Sequence, residues 1–147
     1  MKKNWRKKIG FVLLFIFVFC LFLECYHLKK IYFISKKEAY ETTWNISLPD
    51  DLKEIYHVQT PVVFLPDGEK YTVFEVQKEQ MGLEGFYRGG IQKKFAEDML
   101  ELLEVPEEEK PDFSKNYVWR EYRKHSDTLL VLYFFEENRV YFFQKLI

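Results

Sequence analysis

The chain of 147 residues is long enough for one apolar segment, a connector and a single small domain, and too short for two independent cores. Its formal net charge of -1 conceals an asymmetry, since five basic residues precede the first apolar run while 17 basic and 22 acidic residues follow from Lys29 onward. A folded part with about five excess negative charges repels phosphate backbones, which excludes nucleic acid as the expected partner.

Residues 1–8 hold Lys2, Lys3, Arg6, Lys7 and Lys8 and read as a basic cytoplasmic tail. Ile9 to Leu23 carries no charge, and extension to Leu28 gives twenty residues, which at ~1.5 Å per residue span about 30 Å of hydrocarbon. Residues 9–28 are therefore expected to form a transmembrane helix that acts as a signal anchor. Glu24 and His27 fall at its outer edge, where a polar group reaches water, and Trp5 and Tyr26 bracket it as interfacial aromatics. The basic flank stays in the cytoplasm, which places the C-terminal domain outside in a single-pass protein of the cell membrane. No pair of small residues suits signal-peptide cleavage, and neither Cys20 nor Cys25 follows the small residue that a lipoprotein site requires. Beyond Cys25 the chain has no cysteine, so no disulfide staples the domain, in keeping with bacterial export to a Gram-positive surface.

Lys7-Lys8-Ile9-Gly10-Phe11 resembles the processing site of type IV pilins and pseudopilins, in which cleavage follows the glycine. That resemblance implies a structural subunit as the alternative function. The family's usual glutamate, five residues into the mature chain, is replaced here by Phe15.

Residues 29–48 read as a stalk or linker, and 49–147 as an extracytoplasmic α+β domain. Asp50 or Asp51 starts a turn before Ile55 to Gln59. Val62 to Leu65, Pro66-Asp67-Gly68-Glu69 and Tyr71 to Val76 predict a β-hairpin, because Asp-Gly supplies the positive φ of such a turn. Ile91 to Val105 predicts a helix with Ile91, Phe95, Met99, Leu102 and Leu103 on its core stripe, ended by Pro106. Tyr117 to Arg123, Thr128 to Phe135 and Arg139 to Leu146 predict a three-strand meander whose middle strand, lacking alternation, is covered on both faces. The expected architecture is hairpin, helix, meander, with one helix packed on one antiparallel sheet.

The domain offers no nucleophile motif, phosphate loop or paired-cysteine motif, and its histidines, His57 and His125, are far apart in sequence. The expectation is a noncatalytic protein, without a cofactor or metal, that binds another envelope or membrane protein as an accessory or immunity-type module; an enzyme is the remaining alternative. Gly82 to Gly90 holds four of the six glycines, and Arg88, Gly89, Gly90 and Lys93 form a candidate loop for an anion or a terminal carboxylate. Aromatics make up 21 of the 119 residues from Lys29 onward, more than one small core needs, so Trp119, Tyr122 and Tyr141 are expected at an exposed protein-binding patch.

Overall fold

A computed structural model describes residues 14–24, 34–61, 67–77, 82, 84–88 and 93–147. The protein is α+β, with three helices and a six-strand antiparallel sheet. Residues 1–38 and 39–147 form separate compact units.

In the first unit, residues 14–24 are helical (α1), and every one is exposed, Phe15 at 67% and Phe22 at 76%. The remainder of the expected 9–28 span lies outside the described residues. Among those described, no helix is long and apolar enough to cross a membrane. A second helix, α2, runs from Lys36 to Trp44. Ser35 and Glu38 start it with a reciprocal capping box: the Glu38 amide donates to Ser35 Oγ at 3.1 Å and the Ser35 amide to Glu38 Oε2 at 3.1 Å.

The second unit begins ten residues before the boundary expected at Pro49. Tyr40, Trp44 and Leu48, assigned to a stalk by sequence, are buried on the sheet. The strands are β1 (Leu52–Gln59), β2 (Gly68–Val76), β3 (Tyr87–Arg88), β4 (Val118–Lys124), β5 (Asp127–Phe134) and β6 (Arg139–Leu146), in the spatial order β1-β2-β6-β5-β4-β3. Helix α3 (Lys93–Leu102) lies between β3 and β4 in sequence.

The second expected strand, Tyr71 to Val76, lies within β2 and pairs antiparallel with β1, whereas Val62 to Leu65 lie outside the described residues. Leu52 pairs with Val76 and Gln59 with Lys70, across a bulge at Ile55. Gly68 is left-handed, at φ +127, and a Cβ there would come within 2.1 Å of Thr60 Oγ1. Close approach as well as the positive φ demands glycine at that position. Thr60 completes the closure by donating its amide to the Glu69 carbonyl at 2.9 Å and accepting the Glu69 amide at 3.1 Å.

The meander forms as expected. Leu129 to Phe134 of β5 are all buried, because strands flank β5 on both sides and side chains cover both faces. On one face Tyr71, Val73, Leu130, Leu132, Phe134, Tyr141 and Phe143 meet α3 through Ala96, Met99, Leu100 and Leu103. On the other, Phe74, Val76, Leu129, Val131, Tyr133, Val140 and Phe142 meet Tyr40, Trp44 and Leu48. Two helices, not one, therefore cover the sheet. The α3 stripe is rotated from the expected one: Leu102 is 59% exposed, and the spacing 96, 99, 100, 103 supplies the contact. Lys93, Lys94, Glu97, Asp98, Glu101 and Glu104 face water.

Candidate functional site

Sequence and structure part company at the residues singled out for binding. Arg88 is exposed on β3, opposite Val118, while Gly89 and Gly90 lie outside the described residues. Lys93 is exposed but engaged, 3.3 Å from Glu97 and 5.5 Å from the centre of the Phe113 ring. Of the aromatics expected at the surface, Tyr141 is fully buried. It sits in β6 between Val73 and Leu132, on the face that α3 covers, and its hydroxyl donates to Glu137 Oε2 at 3.2 Å. Burial pushes that hydroxyl up to about 12. Trp119 and Tyr122 are half-buried. Trp119 packs against Tyr87 with ring centres 5.2 Å apart, and Tyr87, not proposed from sequence, is the most exposed aromatic of the domain's described residues at 62%.

Tyr122 belongs to a more specific arrangement on the opposite face. Alternation along β4 sets Arg120 and Tyr122 on the side that carries Val131 and Leu129, their cross-strand partners. The Arg120 guanidinium lies 4.7 Å from the centre of the Tyr122 ring, a stacked cation–π geometry, and donates from Nη1 to the Glu84 carbonyl at 2.9 Å. Burial raises the Tyr122 hydroxyl above the usual tyrosine range, and the Arg120 charge opposes that shift. Around this pair, Ile46, Ser47, Leu48, Pro49, Glu84 and Phe86 line a cleft of about 180 Å³. The site thus joins an apolar wall to an oriented guanidinium, with Ser47 and Glu84 as its other polar residues.

A larger cleft of about 480 Å³, beside Glu75, Glu108 and Arg139, is open and polar. Its charges are largely committed within the protein: Lys110 pairs with Glu107, Lys115 with Glu137, and Asp112 accepts from the Ser114 amide and hydroxyl, which holds its carboxyl below the usual range. No group of three or more His, Cys, Asp or Glu able to hold a metal occurs among the described residues.

A third feature is a buried polar chain. Tyr40 Oη is 2.8 Å from Thr72 Oγ1, which is also 2.8 Å from His57 Nδ1, while His57 Nε2 lies 3.4 Å from Gln59 Oε1. Thr72 is fully buried, so water does not serve it, and burial raises the Tyr40 hydroxyl well above the ordinary tyrosine range. His57 acts here as a structural partner that ties β1 to β2 and α2.

Sequence reasoning missed Arg120 because a single arginine in a strand carries no motif. The available signal was Arg120-Glu121-Tyr122, whose i, i+2 spacing puts cation and ring on one face of a strand. In comparisons with known proteins, no protein-family model, no curated protein and no solved structure matches the chain.

Proposed function

We propose that this chain is a single-pass membrane protein whose α+β domain lies outside the cytoplasm and binds another envelope or membrane protein without catalysing a reaction. The observation that carries the reading is the run at 14–24, where Leu14, Phe15, Phe17, Phe19 and Phe22 all stand at least half exposed on a helix that follows five basic residues. Contiguous apolar surface of that kind calls for lipid or protein around it, and the basic flank sets the orientation. The Arg120 cleft and the exposed Tyr87 with its neighbour Trp119 supply polar and aromatic contact groups of the type enriched at protein interfaces.

An alkaline phosphatase fused after Ile147 is expected to be active in intact cells, with the chain retained in the membrane fraction and its N-terminus unprocessed. Phosphatase activity only after cell lysis would refute the orientation, and a mature chain that begins at Phe11 would replace the anchor with the pilin-like alternative.

A further inference from the structure

The cleft beside β4 holds a half-buried cation that forms no ion pair among the described residues. Among the described residues no carboxylate lies within ion-pair distance of Arg120, and its hydrogen bond goes to a neutral carbonyl, that of Glu84. A guanidinium partly removed from water is best matched by an anion that accepts two parallel N–H bonds, which is carboxylate geometry. The group is also held ready. Its face is set by Tyr122 at 4.7 Å, and its Nη1 edge by Glu84 at 2.9 Å. Gly85 is left-handed, at φ +75, a conformation that favours glycine, and its Cα side faces the guanidinium, 2.8 Å from Nη1 to where a Cβ would stand. Nε and Nη2 have no protein partner among the described residues.

The rest of the wall selects what the anion is attached to. Ile46, Leu48, Phe86 and Val131 are apolar, and Leu48 and Val131 are buried; Ser47 and Glu84 complete the polar side, and the negative charge of Glu84 opposes a multiply charged anion more than a single carboxylate. A phosphate would set charged oxygens against these side chains without partners, whereas a carboxylate beside an aliphatic group satisfies both halves. Size narrows the choice further: about 180 Å³ equals roughly six water volumes of ~30 Å³, room for one carboxylate and one aliphatic side chain but not for a drug-sized molecule.

We propose that this cleft captures the C-terminal carboxylate of a partner polypeptide whose last side chain is aliphatic, with Arg120 as the carboxylate fork and Leu48, Phe86 and Val131 as the side-chain pocket. The inference rests on reading the domain as a protein-binding module, and it gives that module a chemical specificity.

The test uses the full chain in detergent micelles and fluorescence anisotropy, with a labelled pentapeptide that ends in leucine as the free acid. The same peptide as its C-terminal amide, and unlabelled N-acetyl-leucine as competitor, complete the set. The free acid is expected to bind saturably and at least about tenfold more tightly than the amide. Arg120→Lys, which keeps the charge and loses the planar fork, should weaken the acid by about tenfold and leave the amide unchanged. Equal binding of acid and amide, or no saturation by about 1 mM, overturns the proposal without recourse to any variant. N-acetyl-leucine competing as strongly as the peptide overturns the commitment to a polypeptide end. Crosslinking of the full chain to an envelope protein in cells that persists undiminished in Arg120→Gln, in the absence of peptide binding, would refute this inference while leaving the wider reading of a binding module standing.

Discussion

The two faces of the sheet are built from adjacent residues of the same strands, yet they are different materials. Phe143 and Phe142 are neighbours in β6, both fully buried, one under α3 and the other under α2. Under α3 the interior is apolar and aromatic, and its two buried tyrosines send their hydroxyls outward to surface acceptors, Tyr71 to the Glu109 carbonyl at 2.6 Å and Tyr141 to Glu137. Under α2 lie the Tyr40–Thr72–His57 chain, the Arg120 cleft and the indole Nε1 of Trp44, which is buried without a hydrogen-bond partner among the described residues. One face is devoted to stability. The other retains polar groups that cost stability, the pattern expected where a fold carries its function.

The largest expected effect tests whether the faces are separate. Phe143→Ala and Phe142→Ala should each lower unfolding free energy by about 3–5 kcal/mol in denaturant titrations, since each empties a fully buried ring. Hydrogen exchange distinguishes them. Phe142→Ala should raise exchange chiefly in α2, because Tyr40 packs on that ring with centres 4.7 Å apart, and Phe143→Ala chiefly in α3. Equal acceleration in both helices from either substitution would show a single core.

A smaller effect concerns the polar chain. Tyr40, Thr72 and His57 are joined by two hydrogen bonds. With His57 neutral and protonated at Nε2, two hydroxyl hydrogens fill those two bonds, Tyr40 donating to Thr72 and Thr72 to Nδ1. Thr72→Val should cost about 1–3 kcal/mol in denaturant titrations by stranding the Tyr40 hydroxyl. An unchanged unfolding free energy would show that the buried Tyr40 hydroxyl does not depend on Thr72.

At alkaline pH the α3 face should show itself. Burial raises the Tyr141 hydroxyl to about 12, above its usual value near 10. Between those values the folded chain keeps a proton on Tyr141 that the unfolded chain has lost, so the Tyr141 contribution to stability declines as pH climbs past about 10 and is spent beyond about 12. Tyr141→Phe should reduce that slope in thermal melts; an unchanged slope would assign it to Tyr71 and Tyr40, whose hydroxyls burial also raises.

How far the sequence reveals this division follows from the strength of its patterns. The meander was legible because Leu129 to Phe135 is an unbroken apolar run between turn residues, which only a strand covered on both faces tolerates. The same logic undoes the expectation for Tyr141: Val140 to Phe143 is also unbroken, so β6 has no outward position in that stretch. Helix α2 was invisible as part of the core because Lys36–Trp44 offers only Tyr40 and Trp44 as large apolar groups, one turn apart, in an otherwise polar segment beside an apparent anchor. The cleft was not legible. The glycine-rich stretch pointed to Arg88, which is exposed on β3, whereas the cation of the cleft, Arg120, comes from β4, 32 residues beyond, through a contact that only the folded sheet creates.

The ends of the two helices on the sheet give the finest comparison. Each helix closes through a residue in left-handed conformation, Asn45 at φ 51 after α2 and Glu104 at φ 52 after α3. After α3 the Val105 amide donates to the Leu100 carbonyl at 3.0 Å and the Glu104 amide to the Glu101 carbonyl at 3.1 Å, the paired bonds of a Schellman closure. After α2 the Ile46 amide reaches the Glu41 carbonyl at 3.3 Å. Asparagine adopts this conformation readily, whereas glutamate carries a steric cost of about 1 kcal/mol there. Glu104 is exposed, so little else depends on its side chain. Glu104→Gly should therefore stabilise the protein by about 0.5–1 kcal/mol, part of the relief being offset by the freedom glycine gives the unfolded chain. Asn45→Gly, starting from a residue already suited to its place, should change stability by no more than a few tenths of a kcal/mol. Measured side by side in urea, a gain at Asn45 equal to that at Glu104 would mean that α2 is as strained at its end as α3, and that the cost carried by its face extends into the backbone.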